Sequence, residues 1–306
     1  MRADYAISKP LAIDEWARAA LTKSCTDCDL IPKHPLAGMV DVDADGKKWQ
    51  RMHNGLLVEY GGYYGEWMAS IIAALRGHHE PQEELAFWEV LKCLEGAPRM
   101  LELGAFWAYY SLWFKHVFPQ GDCALYEPDA AHLAVGQRNF AKNRFSGHFE
   151  VAAAGLDGNI KFFDETRGQS TDVIAKSVAL ICREREIDFL DLLHMDVQGA
   201  ELGVLIGAEP IIAENKLRFV FVSTHHHLIS GDPLTHQKCL LWLKDHGGHI
   251  LCEHSVNESY SGDGLIVASF MKQDRSRAIP LSHCRQSEGL FRELEFDLSD
   301  ARKSVA

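Results

Sequence analysis

The stretch RMLELGAFWAYYSLWFKHVF, residues 99–118, decides the fold. It opens as a strand, turns at Gly104 and continues as a helix crowded with aromatic side chains. Working outward, the chain alternates short apolar runs with helical segments: RMLELGA, CALYEP, FEVAAAG, LLHMDV, RFVFVST, HILCEHS and GLIVASF read as seven strands. Helices or longer crossovers separate the first five. The last two are joined only by VNESYSGD, too short for a crossover of about a dozen residues, so they are expected to be antiparallel neighbours. The pattern predicts an α/β fold: a Rossmann-like seven-stranded sheet, mostly parallel with its last strand antiparallel, covered on both faces.

The remainder divides around this sheet. Residues 1–95 read as a mostly helical cap or lid, 96–271 as the sheet domain and 272–306 as a polar tail that wraps or frays. Within the cap, Pro81 and Glu83 suit a helix start, and Leu85, Trp88 and Leu91 recur at helical spacing. His78 and His79, just before it, read as capping or exposed residues, with lid contact to substrate as the functional alternative. Tyr60, Tyr63, Tyr64 and Trp67, set among glycines, suit either the core or stacking on a sugar or an adenine.

At 306 residues and 47% hydrophobic content the chain can fill a sizeable core. A net charge of -12 with only 31 Lys and Arg gives no broad basic footprint, so no nucleic-acid partner is expected. MRADYAISKPLAIDEW is interrupted by charges, and no segment approaches the roughly 18 apolar residues of a membrane span, which points to a cytoplasmic protein without a span. The eight cysteines are expected to be reduced thiols. Cys25 and Cys28 have the spacing of half a zinc site, with no second pair to complete it.

Ligands of an open α/β sheet sit outside the carboxyl ends of its strands, near the point where strand order reverses. After the first strand, Gly104 and Ala105 permit close backbone approach, and the following helix start offers free N–H groups. Glu127 ends the second strand about 20 residues on, where a carboxylate can accept from ribose hydroxyls. Ala153 ends the third strand with a small side chain beside the expected adenine, and Tyr109 and Ser111, early in the first helix, are further contacts. The turn lacks a full GxGxxG, which argues against a dinucleotide pyrophosphate.

The fourth strand carries IDFLDLLHMDVQGAELGVLIGA. With LELGAFWAYYSLWF and YEPD, it resembles the FkbM family of S-adenosylmethionine-dependent methyltransferases over roughly residues 99–270. The matching motif is Asp196, Gln198, Gly199, Ala200 and Glu201, and Gln198 stands where the family more usually has Glu. The resemblance implies S-adenosylmethionine as cofactor and methyl transfer to a hydroxyl of a sugar, polysaccharide or natural-product intermediate. A sulfonium nucleoside is cationic, which gives Glu102 and Glu127 at strand ends a reason to be acidic.

An alcohol acceptor must lose a proton, either to a histidine base or through a divalent metal that lowers its pKa. His225, His226 and His227 leave the fifth strand, Glu253 and His254 the sixth, and Asp196 the fourth. His225 is the first choice as base, His226 the second, with Asp196, His254 and Glu201 beside them. If a metal is used, Asp196, His225 and His254 are its expected ligands. Rival readings are a NAD-dependent oxidoreductase and a noncatalytic binding module of the same fold. A homo-oligomer stays open.

Overall fold

The structure is a computed structural model that describes residues 15–164 and 169–284. Residues 15–95 build helix α1 (Glu15–Lys23), an antiparallel sheet of β1 (Val40–Val42), β2 (Lys48–Arg51) and β3 (Leu57–Glu59), then α2 (Gly65–Ala74) and α3 (Pro81–Leu91). Strand–helix alternation follows: β4 (Arg99–Leu103), α4 (Tyr109–Val117), β5 (Asp122–Tyr126), α5 (Ala130–Asn143) and β6 (His148–Glu150). A side sheet of β7 (Ala153–Ala154), β8 (Gly158–Asp164) and β9 (Gln169–Lys176) intervenes. The chain then continues through α6 (Val178–Glu184), β10 (Leu190–Asp196), α7 (Glu201–Ala213), β11 (Leu217–Thr224), α8 (His227–Ser230) and α9 (Thr235–Asp245) to β12 (His249–His254) and β13 (Gly264–Ser269).

The seven-stranded sheet has the order β12-β13-β11-β10-β4-β5-β6. β13 is antiparallel to both neighbours, and the pairs β11·β10, β10·β4, β4·β5 and β5·β6 are parallel. Order reverses between β4 and β10, where the chain grows outward in one direction and then in the other. The expected architecture is present, including the antiparallel final strand. The expected third strand is different: FEVAAAG divides into β6, in the main sheet, and β7, which pairs with β9. The β8–β9 hairpin carries no apolar run to announce it, and Ile160 and Ile174 on it are exposed.

Both faces of the sheet are covered, which is why β13 is buried along its whole length and the inner strands read as continuous apolar runs. Leu101, Leu103, Leu193, Met195, Val220 and Val222 pack with residues of α6, α7 and α9. Met100, Leu192, Phe219, Phe221 and Val267 pack on the opposite face with residues of α4 and of the first 95. Phe87 of α3 is fully buried against Tyr110, Trp113 and Phe221. Among the described residues one apolar cluster joins side chains from both sides of residue 95, and α3 packs on the sheet through Phe87 as α4 does through Tyr110 and Trp113. Residues 272–284 pack as well: Ile279 N–H donates to Leu251 and Cys284 N–H to Glu258. The rest of the expected tail lies outside the described residues.

Candidate active site

The turn after β4 sits at the reversal of strand order. Gly104 has φ +77°, and a Cβ there would stand 1.7 Å from the carbonyl oxygen of Asp196, so only glycine lets β4 pass the end of β10. Phe106 and Ala108 also have positive φ, 38° and 61°, without being glycine. Such a conformation costs about 1–2 kcal/mol per residue and persists where surrounding contacts impose it. Two contacts do so here. Phe106 N–H donates to Glu127 Oε2 at 3.1 Å. Gly136 of α5 leaves room for Ala108, whose Cβ would lie 2.8 Å from any Cβ at 136.

Glu102 and Glu127 hold this turn from two sides. Glu102 is buried, and its Oε2 accepts the N–H of Ser111 in the first turn of α4 at 3.0 Å, satisfying a helix N-terminal donor. Burial pushes its pKa up. Glu102 therefore fixes α4 to β4 rather than presenting a bare carboxylate. Glu127 accepts from Phe106 and, through Oε1, from Asp129 N–H at 3.0 Å; burial pushes it up to about 7. These bonds use two of the roughly four lone-pair sites of a carboxylate, so Glu127 keeps acceptor capacity for a hydroxylated ligand. Ala105 is buried, its N–H bonded to Tyr126 O. Ala153 is buried in β7. Tyr109 is turned into the core, with its hydroxyl 2.8 Å from His53 Nδ1, and makes its contacts there.

The carboxyl ends of β10 and β11 bring three other expected residues together. His225 is 3% exposed. Its Nδ1 lies 2.6 Å from Glu201 Oε1 in the first turn of α7, and its Nε2 lies 3.0 Å from Asp196 Oδ1. Gln198, in a left-handed conformation just past β10, places its Nε2 3.0 Å from Asp196 Oδ1 and 2.9 Å from His225 Nε2. Burial alone would depress the pKa of His225, but Asp196 and Glu201 raise it well above the usual imidazole value. Asp196 is correspondingly lowered: burial opposes its charge, and the bond to His225 outweighs it.

His226 and His254 stand apart from this chain of contacts. His226 caps α8, its Nδ1 accepting from Leu228 N–H, and burial lowers its pKa to about 4. His254 is buried with Nδ1 3.2 Å from Ser255 O, and burial lowers it to about 4 as well. Among the described residues, the one group of three or more donors that converges within 4.8 Å is His53, His78 and Glu84, so Asp196, His225 and His254 do not form such a group, nor do Cys25 and Cys28.

Two further charged residues join this site. Asp263, in the turn before β13, has Oδ1 3.9 Å from His225 Nε2, and Arg18 of α1 bonds its other oxygen at 2.7 Å. Asp263 lies in SGDG at the carboxyl edge of the sheet, a position from which it could have been read; nothing in the sequence around Arg18 signals its partner. Tyr63 stacks on Trp107 at 4.6 Å and is buried, whereas Tyr64 is exposed beside Phe106 on the rim. His78 and His79 are buried rather than capping or exposed, because Glu84 takes both their rings and the backbone N–H of His79.

Residues 100–250 match the family described as methyltransferase FkbM domain. No curated protein matches the sequence. Solved structures with similarity include precorrin-6y C5,15-methyltransferase from Geobacter metallireducens GS-15, at 13% identity and TM-score 0.39, covering 61% of this chain and 87% of that one. TrmK from M. capricolum, in complex with S-adenosylhomocysteine, has 13% identity, TM-score 0.37 and coverage of 63% and 74%. A SAM-dependent methyltransferase from Aquifex aeolicus has 13% identity, TM-score 0.34 and coverage of 60% and 89%. Among the described residues no helix is long and apolar enough to cross a membrane.

Proposed function

We propose, from the premise that residues 100–250 form a methyltransferase FkbM domain, that the protein transfers a methyl group from S-adenosylmethionine to a hydroxyl of a sugar, polysaccharide or natural-product intermediate. When bound, that cofactor supplies a methyl carbon already activated by its sulfonium. The Gly104–Ala108 turn and Glu127 hold it, Glu127 through the acceptor capacity left on its carboxylate. Asp196, whose carbonyl abuts Gly104, adjoins both the turn and the reacting end.

The observation that carries the reading is the Glu201–His225–Asp196 chain beside that turn. Glu201 fixes the ring through Nδ1 and leaves Nε2 facing Asp196 and Gln198, the arrangement of a carboxylate-oriented histidine base. Nε2 has a partner in either state. As a neutral acceptor it takes a bond from the Gln198 amide; once protonated it donates to Asp196. Glutamine in place of the more usual glutamate therefore serves the base, because a third carboxylate at this nitrogen would hold the proton harder and offer the neutral ring no donor. Tyr64 and Phe106 on the rim suit a sugar face. Eight free cysteines fit a reducing compartment such as the cytoplasm.

The test is calorimetry with S-adenosylhomocysteine and with NAD, followed by labelled-methyl transfer to hydroxylated sugars and to a structured RNA. Binding of S-adenosylhomocysteine with transfer to a sugar hydroxyl is expected. Folded protein that binds NAD alone, or that methylates only the RNA, overturns the reading.

A further inference from the structure

A second histidine cluster, sharing no residue with the proposed reaction centre, lies where four segments meet. His53 follows β2, His78 precedes α3, Glu84 is in the first turns of α3 and Tyr109 opens α4; all four are 0–2% exposed. We infer that His53, His78 and Glu84, with the Tyr109 hydroxyl beside them, form a structural site for one late first-row divalent cation of the zinc type, tying the segment after β2 to α3 against the start of α4.

The geometry is specific. His78 Nδ1 contacts Glu84 Oε2 directly, His53 Nδ1 lies 4.0 Å from the same oxygen, and the Tyr109 hydroxyl is 2.8 Å from His53 Nδ1. The His53 and His78 rings are nearly parallel, 14° apart in plane with centroids 4.3 Å apart. The other carboxylate oxygen is already engaged by the N–H groups of His79 and Glu80, at 2.7 and 3.3 Å, and by His79 Nδ1 at 2.6 Å. Glu84 is thus held with one oxygen aimed at two imidazoles. Tetrahedral zinc places its donor atoms about 3.3 Å apart, so His53 has to close by under about an ångström and the direct His78–Glu84 contact has to open by about an ångström to admit the ion.

The chemistry of the donors selects the ion. Two imidazoles and one carboxylate in a dry core suit zinc or a neighbouring transition metal and not magnesium or calcium, which require more oxygen donors. Any proton on the coordinating atoms leaves to solvent as the metal–nitrogen and metal–oxygen bonds form.

The full chain is dialysed against a chelator, then titrated with zinc chloride or cobalt chloride while metal content, thermal midpoint and the visible spectrum of the cobalt form are recorded. About one ion per chain is expected, with a raised midpoint and the intense d–d bands of four-coordinate cobalt. His78→Asn and Glu84→Gln lose the ion, and His225→Gln keeps it. Wild-type protein that retains no ion and shows no shift of its midpoint overturns the inference. So does an ion lost in His225→Gln and kept in Glu84→Gln, since it then belongs to the reaction centre. If His78→Asn fails to fold, the wild-type titration and Glu84→Gln decide.

Discussion

The two buried histidine clusters are mirror images. At the strand ends one imidazole, His225, faces three carboxylates, Glu201 at 2.6 Å, Asp196 at 3.0 Å and Asp263 at 3.9 Å. At the start of α3 one carboxylate, Glu84, faces three imidazoles: His78 in direct contact, His79 at 2.6 Å and His53 at 4.0 Å. Burial disfavours charge in both places, so the majority partner decides who keeps it. Excess carboxylate holds a proton on His225, whereas excess imidazole keeps Glu84 ionised and His53 bare. The first arrangement suits a site that takes and returns a proton, and the second one that never lets its carboxylate protonate.

Substitution at His225 bears hardest on this contrast. His225→Gln is expected to lower turnover by about 10²–10⁴, the usual worth of a general base, while leaving S-adenosylhomocysteine affinity within about twofold. Single-turnover kinetics and calorimetry measure the two. Unchanged turnover removes His225 from the reaction.

Glu84→Ala is expected to destabilise the fold by about 3–5 kcal/mol, because it removes the buried carboxylate that the rings of His78 and His79 both contact and leaves Glu80 as the carboxylate facing His79. Asp196→Asn, at a side chain 28% exposed, is expected to cost about 1 kcal/mol. Urea unfolding compares them, and equal losses would erase the distinction between a structural and a working cluster.

The pH dependence of turnover is a finer probe. Turnover requires neutral His225 and so rises with pH through its elevated folded pKa. Asp196→Asn removes a carboxylate and is expected to move that rise to lower pH by about 1–2 units; Gln198→Glu adds one and moves it upward by about half a unit to one unit. Profiles between neutrality and the alkaline range decide, and movement in the same direction breaks the two-state account of Nε2.

The smallest effect is on how stability varies with pH. The folded pKa of His225 is raised, so its contribution is full below the unfolded imidazole value and is lost as pH rises through the folded one. Glu84 is depressed, so its contribution is present above the unfolded carboxylate value and is lost as pH falls. Thermal midpoints across pH are expected to show a flattened alkaline limb in His225→Gln and a flattened acid limb in Glu84→Gln.

Much of the sheet was legible because a strand covered on both faces is dominated by apolar residues, as β4, β10, β11 and β13 are. The side sheet was not: β8 and β9 leave much of their surface to solvent, and a polar hairpin resembles a loop. In the proposed site, Gly104, Glu127, Asp196 and His225 were expected because the carboxyl ends of strands are where ligands of such sheets bind, and the structure brings Gly104 to Asp196 and Asp196 to His225. The task of Glu102 could not, since whether a carboxylate meets a ligand or a helix N–H depends on how α4 docks.

The sequence by itself determined strand order of appearance, the antiparallel ending and the residues that can carry charge at the strand ends, because these follow from periodicity and connection length. Only the tertiary structure decided which charges meet. Arg18 reaches Asp263 across 245 residues and His194 reaches Glu83 across 111. Protonation follows from such encounters: a histidine among carboxylates and a histidine among histidines are the same residue in the sequence and opposite groups in the fold.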